Sequence, residues 1–230
     1  MRRIVLVAAA ASLMLGLAVS QANAASLIPY QNIGTYNSDT YSFSASATGN
    51  ITAYFTGASA AYDNQIGLLV NGVSTGVYGL DDHTSTIGQS LNLGPVNAGD
   101  TLTFVLDIIS SGGAKVFSDP TMNLLYDSGP ATGTSDGHNH IYSTAYDGLD
   151  PAFNGLVPAG TYIAFEDLSF PGSDYDYNDE TFVFTNTSAV TLQGGPSAPE
   201  PATWALMSLG VGAVGAAMRA SRRRVRALAV

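Results

Sequence analysis

The sequence predicts an all-β fold, a two-sheet β-sandwich of jelly-roll type, and three observations carry that expectation. Short runs of alternating polar and apolar residues recur through the middle of the 230-residue chain, turn residues separate them, and helical periodicity is hard to find there. Eight or more short strands within roughly 170 residues suit two packed antiparallel sheets.

Taken in order, strands are expected at Tyr41–Ala47, Ile51–Thr56, Ile66–Val70, Val73–Tyr78, Thr101–Ile109, Met122–Tyr126, Thr161–Leu168 and Thr181–Thr185. Tyr41–Ala47 alternates plainly, as Tyr-Ser-Phe-Ser-Ala-Ser-Ala. Asn71-Gly72 marks a hairpin, since both central residues of a type I′ turn need positive φ. Pro95–Asp100 and Pro158-Ala159-Gly160 read as loops that launch strands. The whole set forms one domain over residues 25–192, with no internal repeat.

The two ends read as addresses. Residues 1–24 form a signal peptide: Arg2 and Arg3 supply the charged start, Ile4–Val19 the apolar stretch, and Ala22-Asn23-Ala24 the small-residue cleavage site, with Ala22 and Ala24 at its key positions. At the other end, residues 202–218 carry no charge and are followed by five arginines between Arg219 and Arg226. As a helix this segment covers about 26 Å, just enough to span a membrane with help from its flanks. The arginines would then stay cytoplasmic and the domain outside. Within the segment, Gly210–Gly215 matches the dinucleotide fingerprint G-x-G-x-x-G, but no strand precedes it, and it reads as a small-residue helix surface.

A linker over residues 193–198 leads to Pro199-Glu200-Pro201, then the apolar segment, then the arginines. That order, over residues 199–226, resembles the PEP-CTERM sorting signal of Gram-negative bacteria. The resemblance implies recognition of Pro199, Glu200 and Pro201 by an exosortase, a membrane protease. It further implies transient anchoring in the inner membrane, delivery to the cell surface or extracellular matrix, and a host that makes exopolysaccharide.

Charge narrows the function. Between Ala25 and Ala198 there are 17 acidic residues against the single Lys115, so nucleic acid is excluded as a partner, because phosphate binding rests on lysine and arginine. The absence of cysteine removes disulfides, thiolate metal sites and cysteine nucleophiles, and is compatible with export.

The residues that carry chemistry lie near the end of the domain. Strand, acidic loop and strand suggest a hairpin whose long connection, residues 169–180, holds Asp174, Asp176, Asn178, Asp179 and Glu180, with Glu166 and Asp167 at its entrance. Two carboxylates ~5 Å apart repel by roughly 3 kcal/mol at an effective dielectric near 20. Calcium takes six to eight oxygens from carboxylates, amides, carbonyls and water, and this loop offers those donors within one short segment. The alternative is a solvated acidic turn. Asp174, Asp176 and Asn178 are spaced like the opening of an EF-hand, but Asp179 stands where glycine is required, Thr185 where a bidentate glutamate is required, and strands flank the loop.

Phe165-Glu166-Asp167-Leu168, a short gap, and Asp174-x-Asp176-Tyr177-Asn178-Asp179 before a hydrophobic strand resemble the bacterial domain of unknown function 4114 family. The resemblance implies a calcium-associated β domain of exported proteins without established catalysis, and Glu166, Asp167, Asp174, Asp176, Asn178 and Asp179 as metal ligands. Glu180 falls outside that set, because Glu180-Thr181 departs from the family's pattern.

Other motifs are weaker. His138 and His140 lie two apart without a third nitrogen or sulfur ligand, which favours a polar loop or sugar-contacting edge over zinc; His83, beside Asp81 and Asp82, is read in the same way. Gly133–Gly137 matches G-x-S-x-G but lacks the strand-to-helix setting of a nucleophile elbow. Of the 12 tyrosines, Tyr175 and Tyr177, interleaved with the acids, are the candidates for stacking on a glycan. The expectation is a non-enzymatic, calcium-stabilised structural or adhesive protein of the cell surface or biofilm matrix, with exosortase and exopolysaccharide as partners. A lectin-like module is the second reading and a glycan-active enzyme the third.

Overall fold

In the computed structural model, residues 28–124, 126 and 137–192 are described; the expected signal peptide, linker and sorting signal and most of the G-x-S-x-G motif lie outside them. Eleven strands are present among these residues: β1 (Thr40–Ala45), β2 (Gly49–Ala58), β3 (Asn64–Val70), β4 (Val73–Gly79), β5 (Ser90–Val96), β6 (Thr101–Ile108), β7 (Ala114–Phe117), β8 (Ile141–Tyr146), β9 (Gly160–Phe165), β10 (Glu180–Thr185) and β11 (Thr187–Leu192). They pair antiparallel in two sheets. The first runs β11-β1-β6-β3-β4, with β7 also on β6; the second runs β5-β2-β10-β9-β8. Of the jelly-roll expectation, this strand order shows a β-sandwich of two antiparallel sheets. No helix among the described residues is long and apolar enough to cross a membrane.

The core follows from the two-residue period of the strands. Phe43 and Phe104 from the first sheet meet Phe184 from the second, with ring centroids 5.3 Å apart for Phe43–Phe104 and 4.0 Å for Phe104–Phe184. Ile163, Phe165 and Phe182 share this interior cluster. The alternate residues of β9 and β10, Tyr162, Ala164 and Val183, face outward yet are buried as well, in a second cluster with Tyr30, Tyr146, Phe153 and Tyr177. Chain segments outside the sheets therefore cover the outer face of the second sheet, which explains why β9 and β10 read as nearly continuous apolar runs.

The Asn71-Gly72 hairpin is present, with φ of 50° and 80° at its two turn residues and Val70 opposite Val73. Of the strand expected at Met122–Tyr126, the described residues form none: Asp119 accepts a hydrogen bond from the Thr121 backbone N–H and caps a 3₁₀ turn at Pro120–Met122 instead. The Asn123 side chain then bonds both the N–H and the carbonyl of Phe117, as a strand partner would. Part of the loop expected at Pro95–Asp100 belongs to β5, an edge strand that tolerates Pro95 and takes up Gly94 where its register with β2 shifts. Ile109 leaves β6 for a 3₁₀ turn, and β9 ends at Phe165, before the acids.

Candidate metal centre

The acidic hairpin is formed as its sequence suggests: β9 and β10 pair with Phe165 opposite Glu180, and residues 166–179 make the connection. A strand's alternation decides where the consecutive acids point. Glu166 follows the outward series Tyr162, Ala164; Asp167 follows the inward series Ile163, Phe165. The six-residue ligand set consequently divides between two faces.

On the outer side, Glu166, Asp174 and Asp176 each bring a carboxylate oxygen within 4.8 Å of the others. Asn178 joins them, its amide donating to Asp176 Oδ2 at 2.6 Å and its backbone N–H to Asp176 Oδ1 at 3.2 Å. The donor set is entirely oxygen, as calcium prefers. Two of its atoms, Glu166 Oε2 and Asn178 Oδ1, are buried without a hydrogen-bond partner. An unsatisfied buried polar atom costs about 1–3 kcal/mol, more if charged, and a divalent cation coordinated there would satisfy both. These residues therefore fit calcium.

Tyr175 and Tyr177 curl the loop. Both adopt left-handed backbone angles, φ of 57° and 51°, which cost a non-glycine residue of order 1–3 kcal/mol. The N-terminal segment holds them. Tyr177 is 1 % exposed, its ring edge on Tyr30 at 4.9 Å, and its hydroxyl accepts the Asn37 N–H at 2.9 Å. The Gly34 N–H donates to the Tyr175 carbonyl at 3.2 Å. Tyr177 is therefore an anchor of the loop, and the expectation that it contacts a glycan is corrected by its burial. Tyr175 remains half-buried in an aromatic group with Tyr36, Phe170 and His138, where His138 stacks on Phe170 at 3.8 Å. His140 is buried, with Nδ1 3.1 Å from the Glu166 carbonyl oxygen, so the two histidines do different work.

Asp167 faces inward, where Asn64 Nδ2 donates to its Oδ2 at 2.7 Å, and Asp179 is turned to the hairpin backbone, its Oδ2 accepting the Asp167 N–H at 2.6 Å. Asp167 and Asp179 are thus absent from the outer group. Glu180, outside the sequence-based ligand set, is fully buried on the inner side.

Electrostatics follows from burial among like charges. Burial, reinforced by Asp174 and Asp176, pushes the Glu166 carboxyl up to about 7. Burial and Asp174 raise Asp176 too. Asp167 and Asp179 are both raised, burial being the main cause, with Asp167 the leading charge acting on Asp179. In each case no lysine or arginine among the described residues compensates the ionised form: the one present, Lys115, pairs with Asp107.

Residues 197–224 match the PEP-CTERM protein-sorting motif, which covers the tripeptide and the apolar segment and implies exosortase processing of an exported chain. No curated protein and no solved structure matches the chain.

Proposed function

We propose that this is an exported, non-enzymatic calcium-binding β-sandwich, sorted by an exosortase and serving a structural or adhesive role at the Gram-negative cell surface or in a biofilm exopolysaccharide matrix. The observation that carries the reading is the sorting motif over residues 197–224, which gives an acidic sandwich an extracellular destination. The convergent oxygens of Glu166, Asp174, Asp176 and Asn178 add calcium, a cation abundant outside cells. Bound there, it would neutralise the hairpin tip and fix the tyrosine anchors against the N-terminal segment. The resemblance of Phe165–Leu168 and Asp174–Asp179 to the domain of unknown function 4114 family, read from the sequence alone, points the same way.

In a host that carries an exosortase, replacing Pro199-Glu200-Pro201 by three alanines should abolish the processed form, leaving only chain that retains its C-terminal segment, as read by intact mass of the membrane fraction. Processing that continues in the triple variant would overturn the sorting reading.

A lectin-like role is the second reading, favoured by the half-buried aromatic group of Tyr36, His138, Phe170 and Tyr175 beside the acidic loop. Aromatic faces stack on the apolar faces of sugar rings, and a calcium ion nearby can take vicinal hydroxyls. Binding on a glycan array that is lost both in chelator and in Tyr175→Ala would establish it; an array blank in saturating calcium would leave the structural role.

A further inference from the structure

We propose a second cation site, inside the end of the sandwich, built by Glu180 with Asp167, Asp82 and the amide oxygen of Asn64, and suited to calcium. Its observations are separate from those of the outer loop. Glu180 opens β10 and, two residues before Phe182 and four before Phe184, shares their inward face. It is 0 % exposed, and neither carboxylate oxygen has a hydrogen-bond partner. The charges that bear on it are those of Asp82, Asp81 and Asp167.

Asn64, the first residue of β3 in the opposite sheet, ties these acids together. Its backbone N–H donates to Asp82 Oδ1 at 2.8 Å and its Nδ2 to Asp167 Oδ2 at 2.7 Å. Its own Oδ1 is left buried without a partner, as the Glu180 oxygens are. The Asp82 side chain is 1 % exposed. One acid thus comes from the β4 side of the first sheet, and two come from the β9–β10 hairpin of the second.

The described residues hold little with which to neutralise such a group. Lys115 is the only lysine or arginine among the described residues, and its Nζ is bonded to Asp107 at 2.8 Å. His83 touches Asp82 at 3.0 Å and Asp63 at 3.2 Å from a half-exposed position. An isolated buried carboxylate is heavily penalised, so buried charges are paired or coordinate metals. Oxygen donors alone select a hard cation, and among these magnesium keeps several waters, whereas calcium accepts a mostly protein-made shell.

The test is calcium titration calorimetry on the purified, chelator-stripped full chain. Wild type should bind two ions per chain, Glu180→Gln one, and the Asp174→Asn/Asp176→Asn pair one. Glu180→Gln also imitates a buried acid that is simply protonated, so a glutamine variant that retains the wild-type stoichiometry and the wild-type calcium-induced melting shift would overturn the proposal. Should Glu180→Gln fail to fold by circular dichroism, Asp82→Asn replaces it and is expected to remove the same ion; unchanged stoichiometry there would equally overturn the site. The two sites fail separately: one ion per chain, lost in Glu180→Gln and retained in the Asp174/Asp176 pair, would support the inner site and remove the outer one.

Discussion

Each calcium ion bound at saturation should raise the melting temperature of the full chain by roughly 5–10 °C over the same protein in chelator, and Asp176→Ala should lose the share that belongs to the outer loop. A ligand at 100 times its dissociation constant stabilises the folded state by about 2.7 kcal/mol, and a domain of this size shifts by about 2–4 °C per kcal/mol. The unliganded loop is where the stabilisation is available. Glu166, Asp174 and Asp176 hold oxygens within 4.8 Å of one another, a separation at which each ionised pair repels by roughly 3 kcal/mol at an effective dielectric near 20. A bound cation would replace that repulsion with attraction. Asp176 is the informative position because it would contribute a ligand oxygen and holds the Asn178 side chain at 2.6 Å. In chelator Asp176→Ala should differ little from wild type, since the lost bonds to Asn178 are offset by relieved repulsion. A melting temperature indifferent to calcium would sink the outer site.

Why part of this was legible in the sequence, and part was not, comes down to the range of the interactions. The Asn71-Gly72 turn and the β9–β10 hairpin are local: two residues with positive φ, or acids between two apolar runs, announce themselves without reference to the rest of the chain. β5 is local too, but Gly94 and Pro95 disguise it, because the residues that mark a register shift on an edge strand are those that elsewhere mark a turn. β8, Ile141–Tyr146, alternates in burial, yet its neighbours His138 and His140 make the segment look like a loop. β11 is an exposed edge whose partner, β1, lies more than a hundred residues earlier.

The site divides along the same line. Its composition is readable from residues 166–180, whereas its partition is not. That Glu166 and Asp167 serve opposite faces depends on where β9 stops alternating against β10. That Tyr177 is an anchor depends on Asn37, 140 residues away. Asn64, which joins Asp82 to Asp167, has no distinguishing neighbour in sequence. Glu180 departs from the family resemblance, and only its position on the inward face, beneath Phe182, gives it a role.

The pH dependence of stability should change with calcium. In chelator, Glu166 has a folded-state pKa pushed up to about 7, well above the ordinary glutamate value, by burial and by the charges of Asp174 and Asp176. The folded chain therefore binds more protons than the unfolded chain between those two values, and stability falls as pH rises through that window. Below the unfolded pKa the contribution is fully present; above about pH 7 it has gone. Asp167, Asp179 and Asp176, all raised, extend the decline in the same direction. Tyr177, packed beside Glu166, does not reverse it, being held in its neutral form by burial. A tenfold difference in proton affinity between the folded and unfolded chain is worth about 1.4 kcal/mol, so the melting temperature in chelator should drop by several degrees between pH 5 and pH 8. Calcium requires the deprotonated ligands, so its affinity should climb over that interval and flatten or invert the slope. Glu166→Gln, which keeps the shape and removes the titration, should reduce the decline in chelator and weaken the calcium response together. Metal-free protein that gains stability from pH 5 to pH 8 would show that these carboxylates are solvated in solution, and the packing of charge that argues for a cation would be lost with it.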